Sequence, residues 1–139
     1  MEHRGFNSLS LHQFMNTKKQ GDIGLGQAIG YFTSLGFTVS VPLTDSQEYD
    51  LIVDNGFSLN RVQVKRCTYK RKGNYNVSLT VKGGNRTSTG KIKKFDKDKV
   101  DVVVVSTPES LYVISTLEMT TKSQLTLNEN FEKYCVQRQ

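Results

Sequence analysis

A chain of 139 residues, 36% of them hydrophobic and with a net charge of +6, is expected to form one domain, which at this size withdraws roughly two thirds of its unfolded surface from water. The longest apolar run, Val102 to Val105, falls far short of the roughly 20 residues that cross a bilayer, and Met1 to Phe14 lacks the apolar stretch of a secretory signal. A cytoplasmic protein is expected, with Cys67 and Cys135 as free thiols rather than a disulfide. His3 and His12 lie far from both cysteines, so no zinc site is implied.

The positive charge is concentrated. Between Arg61 and Lys99 stand thirteen lysines and arginines and only two acids, Asp96 and Asp98, a local +11 against −5 for the remaining residues. Such a segment suits a phosphate-bearing partner. A solvated basic face is the plainer alternative.

In chain order, residues 1–17 are polar without a clear period and are expected to form an arm ahead of a domain at 18–139. From Asp22 onward, Leu25, Ala28, Ile29, Phe32 and Leu35 recur at steps of three and four, the stripe of an amphipathic helix that Gly36 ends. Phe37, Val39 and Val41 alternate with Thr38 and Ser40 in a strand stopped by Pro42. Leu51 to Val53 is a short apolar strand, and Asp54-Asn55-Gly56 predicts a hairpin, because Asn and Gly accept the positive φ of a tight turn.

The return strand, about Leu59 to Tyr69, places Arg61, Gln63 and Lys65 on one face and Val62 and Val64 on the other. Tyr75 to Val81 alternates again, and Tyr69, Tyr75 and Arg86 stand among basic residues as contacts to a phosphate-bearing partner or, for the tyrosines, as packing. Lys82 to Lys99, with Gly83-Gly84, Gly90 and seven basic residues, reads as a long flexible loop. Val100 to Ser106 has the continuous valines of a strand buried on both faces. Pro108 to Ser110 turns the chain into Leu111 to Ser115, and Asn128, or Leu127 before it, caps a final helix carrying Phe131, Tyr134 and Cys135. The order of elements implies an α/β fold on a mixed sheet.

Three of these residues can converge across the hairpin. Asp50 heads the short strand, and thirteen residues later Gln63 and Lys65 share one face of the return strand. A carboxylate, an amide carbonyl and the backbone carbonyl of Val64 are hard oxygen donors suited to Mg²⁺, and the lysine can orient a water or stabilise charge at phosphorus. On spacing alone, Asp50 could equally end a turn after Gln47-Glu48-Tyr49, with Arg61, Gln63 and Lys65 the wet face of an edge strand.

The combination of Gly21-Asp22-Ile23-Gly24, Tyr31-Phe32-Thr33-Ser34-Leu35-Gly36-Phe37, Val41-Pro42-Leu43, Tyr49-Asp50-Leu51-Ile52-Val53 and Arg61-Val62-Gln63-Val64-Lys65 resembles the PD-(D/E)XK nucleases. The likeness is strongest to their branch containing a cyanobacterial group I intron-encoded homing endonuclease, and it runs from about Lys18 through Leu117. It implies a restriction-endonuclease-like core, a mixed β-sheet flanked by helices. It further implies a site-specific endonuclease that hydrolyses double-stranded DNA with Mg²⁺, for which Mn²⁺ can substitute. A homo-oligomer, dimer or tetramer, follows, because one small domain cannot span a long target.

In that branch Gln stands where most relatives have Glu, so Asp50, Gln63 and Lys65 carry over as catalytic, with Asp50, Gln63 and the Val64 carbonyl as metal ligands. The DNA contacts implied are Arg61, Arg66, Lys70, Arg71, Lys72, Lys82, Arg86, Lys91, Lys93 and Lys94. One position departs: where the family carries a metal-site glutamate on the first helix, this chain has Leu25, and Asp22, almost one turn earlier, is the candidate substitute. The departure implies a weakened or an inactivated enzyme. The alternatives are a Holliday-junction resolvase of the same fold and a DNA-binding module without catalysis, which Leu25 would suit.

Overall fold

Asn16 starts the one α-helix among the described residues, α1 (Thr17–Ser34), by accepting the Lys19 amide on its side chain. The computed structural model describes residues 16–82, 92–121 and 123–139. The helix thus begins five residues before the stripe that starts at Asp22, and it takes in the end of the expected arm; residues 1–15 of that arm lie outside the described residues. Its buried line is Gly24, Ala28 and Phe32, at exact steps of four, with Leu25 and Ile29 half-buried beside it. Leu35 is the C-cap and is 49% exposed, so it leaves the stripe. Gly36 follows at φ +81°, the left-handed conformation that closes a helix.

Among the described residues eleven strands follow: β1 (Thr38–Ser40), β2 (Leu51–Asp54), β3 (Leu59–Arg66), β4 (Lys70–Arg71), β5 (Asn74–Ser78), β6 (Val81–Lys82), β7 (Ile92–Lys93), β8 (Val102–Ser106), β9 (Ser110–Ser115), β10 (Gln124–Leu127) and β11 (Cys135–Arg138). Six form a mixed sheet in the order β1-β2-β3-β8-β9-β11. Only β3 and β8 run parallel in it, and the other neighbours are antiparallel. The predicted hairpin joins β2 to β3. Asp54 Oδ1 accepts the Gly56 amide, Asn55 Oδ1 accepts those of Phe57 and Ser58, and Gly56 sits at φ +89°.

The sheet separates two cores, and the valine run is shared between them. Val104 packs with Ala28, Phe32, Leu51, Val53, Val62 and Leu111 under α1. Val103 and Val105 face the opposite way, toward Cys67, Tyr75, Val77, Leu79, Phe95, Ile114 and Leu125. That second face is covered by the small sheet β10-β5-β4. Tyr75 is therefore core packing rather than a DNA contact, while Tyr69 is exposed. Both cysteines are free. No helix among the described residues is long and apolar enough to cross a membrane.

Two expectations about irregular regions change. The stretch from Lys82 to Lys99 is not one continuous loop, because β6 and β7 pair antiparallel, Val81 with Lys93 and Lys82 with Ile92; residues 83–91 lie outside the described residues. The final helix is a short 3-10 segment, Glu129–Tyr134, capped by Asn128 as expected. It gives way at Cys135 to β11, which closes the sheet edge against β9. Six residues with only Phe131 and Tyr134 facing the core bury too little for an α-helix to persist.

Gly24 sets the closest approach of α1 to the sheet. A Cβ there would lie 3.3 Å from Arg66 Cβ, 3.5 Å from Ser106 Cβ and 3.6 Å from Val64 Cγ1, whereas nothing comes within 4 Å at Gly26 or Gly30. Replacing an exposed helical glycine by alanine stabilises by roughly 0.5–1 kcal/mol. Gly26→Ala and Gly30→Ala should each raise the denaturant midpoint accordingly. Gly24→Ala should gain nothing or lose stability, because two central strands would have to yield; equal gains at all three positions would contradict this packing.

Candidate active site

The site is built at the start of β2, where its pairing with β3 gives out. In a strand the N–H and C=O of one residue point to the same edge, and successive residues alternate edges. Val62 faces β2, and its carbonyl accepts the Asp50 amide at 2.8 Å. Val64 faces the same edge, but there the ladder has ended: its amide donates to Asp50 Oδ2 at 2.7 Å instead. The Val64 carbonyl consequently projects beyond the start of β2 beside the carboxylate. This is also the carboxyl end of the parallel pair β3 and β8, where open α/β sheets present their sites.

Gln63 turns its side chain to the other face of the sheet from Val62 and Val64, and only 7% of it is exposed. Its Nε2 donates to the backbone carbonyl of Glu48 at 3.1 Å, which fixes the amide so that Oε1 is the opposite arm of the fork. That oxygen is buried and has no hydrogen-bond partner among the described residues. A buried carbonyl oxygen without a donor costs about 1–3 kcal/mol. Glu48 was not foreseen as part of the site, and a contribution made through a backbone carbonyl leaves no residue-type signal to find.

Lys65 completes the cluster. Burial pushes its pKa down, and the Asp50 charge draws it partly back up. Asp50 still reaches solvent along one side, yet crowding by protein on the others raises its pKa, against the opposing pull of the Val64 amide and of Lys65. Beyond Lys65 opens a cleft of about 420 Å³, whose walls include Arg66, Thr68, Tyr69, Asn76, Val77 and Ser78. Among the described residues no three of His, Cys, Asp and Glu gather as metal ligands. A cation at this edge would accordingly be held by one carboxylate and the neutral oxygens of Gln63 and Val64, all donors that hard divalent ions accept.

Leu25 belongs to the α1 side of the sheet, half-buried against the core that contains Val62 and Val104, and Asp22 is exposed on the helix. The basic residues divide. Arg61 is occupied within the protein: its backbone amide and Nε both donate to Asp101 Oδ2, at 2.7 Å and 3.0 Å, and Nη2 donates to Oδ1 at 3.0 Å. Asp101 is held below its usual pKa by that guanidinium. Lys70 bonds Glu109 at 3.0 Å and lies over the Tyr75 ring. Arg71, Lys72 and Lys94 are exposed, Lys72 at φ +52° in the β4–β5 turn. Arg86, Lys91 and the side chains of Lys82 and Lys93 lie outside the described residues.

The electrostatics predict a stability effect. A carboxyl whose folded pKa lies above its ordinary value costs stability once pH exceeds that folded pKa, and costs nothing below the ordinary value. In metal-free buffer at neutral pH, Asp50→Asn should therefore raise the melting temperature, and the gain should vanish in acid below the ordinary carboxylate pKa of 3.8. A lower melting temperature for the variant at neutral pH would show that Lys65 and Val64 more than offset the burial of the charge.

Comparison with known proteins agrees with this architecture. A model of the PD-(D/E)XK endonuclease family matches residues 15–137. The solved structure of the bacterial homing endonuclease I-Ssp6803I superposes with a TM-score of 0.62 at 31% sequence identity, covering 82% of this chain and 76% of that one. A search of curated protein sequences found no significant match. With the mixed sheet, and with Asp50 bonded to the Val64 amide in the field of Lys65, the chain belongs to the PD-(D/E)XK endonuclease family.

Proposed function

We propose that this protein is a divalent-metal-dependent, site-specific endonuclease that hydrolyses a phosphodiester of double-stranded DNA, with Asp50, Gln63 and the Val64 carbonyl holding Mg²⁺ or, in its place, Mn²⁺. The observation that carries the reading is the buried, partnerless Oε1 of Gln63, set on the same strand as Lys65 and the amide that grips Asp50. The similarity to a homing endonuclease supports the homing class, and with it a homo-oligomer acting on a long, nearly symmetric target.

Each residue has a distinct task. Val64 donates to one oxygen of Asp50 and so orients the other. Glu48 holds the Gln63 amide from behind, through its carbonyl. Lys65, kept near Asp50, orients the attacking water and stabilises the charge that grows on the phosphorus oxygens. A bound Mg²⁺ would supply Lewis-acid polarisation of the phosphate and a more acidic water. In-line attack then leaves a 5′-phosphate and a 3′-hydroxyl. The exposed cations Arg71, Lys72 and Lys94 lie in the segment proposed to face the DNA backbone.

One observation favours a second reading, a DNA-binding module with weak or no cleavage: Leu25 puts an alkyl group where the resemblance expects a glutamate, and Asp22 is exposed rather than packed on the sheet. Preference for four-way junctions over linear duplex would instead point to a resolvase of the same fold.

Cleavage of supercoiled plasmid in Mg²⁺ and Mn²⁺ tests the reading. Asp50→Ala and Lys65→Ala should each lower the nicking rate at least about 10²-fold while duplex binding persists, since the loss falls on the chemical step. Unchanged nicking by Asp50→Ala would place the chemistry elsewhere. Leu25→Glu adds a second carboxylate at the family position and should raise Mg²⁺-dependent nicking by roughly 10–100-fold, with a slightly lower melting temperature in metal-free buffer from the added half-buried charge. Equal rates for Leu25→Glu and the parent chain would mean that position 25 does not serve the metal site.

A further inference from the structure

Among the described residues most anchored cations come with carboxylates; Lys97, held on the Met119 carbonyl, and Arg66, on the α1 side, do not. Arg61 is forked on Asp101, Lys70 meets Glu109, Lys99 meets Glu48 and Arg138 meets Glu132, while Lys65 has Asp50. Arg66 has none. Its Nε donates to Gln20 Oε1 and its Nη1 to Ser106 Oγ, both at 2.9 Å, and Ser106 Oγ in turn bonds Gln27. These partners are neutral, so they fix the guanidinium plane without compensating its charge. Asp22 makes no ion pair with it, and the titratable groups that act on it, Tyr75 and Cys67, are a phenol and a thiol rather than carboxylates. Nη2 donates to no described residue.

A half-buried guanidinium stays protonated, and a partly desolvated charge without a counterion is costly. Two polar side chains and a glycine are nonetheless spent on holding it: the stem passes Gly24 so closely that a Cβ there would lie 3.3 Å from Arg66 Cβ. That is how an anion receptor is preorganised, with its orientation fixed and its charge left open.

We propose that Arg66 is a second phosphate site, a planar fork that takes the non-bridging oxygens of a DNA backbone phosphate other than the one hydrolysed. Adjacent residues of a strand project to opposite faces, so Arg66 is anchored on the α1 face, by Gln20 and Ser106, while Lys65 leaves the strand toward the other, and the two meet only along the cleft that both line. The contact positions the duplex rather than reading its sequence. This inference rests on the nuclease reading, and it singles out Arg66 from the basic segment by a guanidinium that two neutral side chains hold in place without a counterion.

The test is binding of a random-sequence DNA duplex by the full chain, followed by anisotropy through a salt series in EDTA. Each phosphate contacted contributes about 0.9 to the log-log slope, so Arg66→Gln should flatten the slope by about that amount, and Arg66→Lys, which keeps stem and charge, should restore it. A slope unchanged in Arg66→Gln, or lowered equally in both variants, would overturn the site. A parent chain with no affinity for duplex would sink the nuclease reading itself and the DNA assignment with it. A second arm does not depend on the stability of Arg66→Gln: inorganic phosphate should raise the melting temperature of the parent more than that of Arg66→Lys, which lacks the planar fork, and equal rises would count against the site.

Discussion

The β2–β3 ladder ends at Asp50, whose amide takes the carbonyl of Val62, and from there the next donor and acceptor on that edge of β3 belong to no strand. The chain turns the loss into a site. The orphaned Val64 amide is satisfied by the Asp50 carboxylate, which pins an acid to the sheet edge without a second acid or a surface loop. Had β2 begun two residues earlier, backbone would have paired with Val64, and the carboxylate would have had no anchor. The same break leaves the Val64 carbonyl open and brings Lys65 within the field of Asp50. Position and electrostatics of the cluster thus follow from where one short strand begins.

Around that edge, polar groups are fixed from outside the cluster. Gln63 is locked by a carbonyl of Glu48, and Glu48 is tethered through its side chain to Lys99 at 3.4 Å. At the opposite end of β3, the Arg61–Asp101 fork ties β3 to the start of β8, adding a side-chain clamp to the one parallel pairing in the sheet. Parallel pairing is slightly weaker per residue and must be reached by a long crossover. A bidentate ion pair there compensates at the register that sets Gln63 opposite Val103. The basic segment serves two ends: some of its cations hold the fold, and others remain open to a partner.

Much of this was legible because hydrophobic alternation and turn chemistry are local. The Val102–Ser106 run, the Asn55-Gly56 turn and the face shared by Gln63 and Lys65 needed no knowledge of neighbours. The start of α1 was missed because Lys18, Lys19 and Gln20 add nothing to an apolar stripe, whereas the cap at Asn16 decides where the helix begins. The last helix was misread for the converse reason: a good cap at Asn128 began a turn that too few buried contacts could extend. Arg61 and Arg66 looked alike in the sequence, and only the fold shows that one has found an acid forty residues away and the other has not. The Glu48 carbonyl and the exposed state of Leu35 depend on tertiary neighbours and were beyond any reading by residue type.

The central claim is that Asp50, Gln63 and the Val64 carbonyl form a site for a divalent cation. Direct binding of Mn²⁺ to the full chain, followed by electron paramagnetic resonance in the absence of DNA, addresses it without relying on cleavage. The account predicts a saturable site in the parent chain that is lost in Asp50→Asn, weakened in Gln63→Met and untouched in Asp22→Asn. Mn²⁺ binding that survives Asp50→Asn, or that disappears in Asp22→Asn, would contradict it.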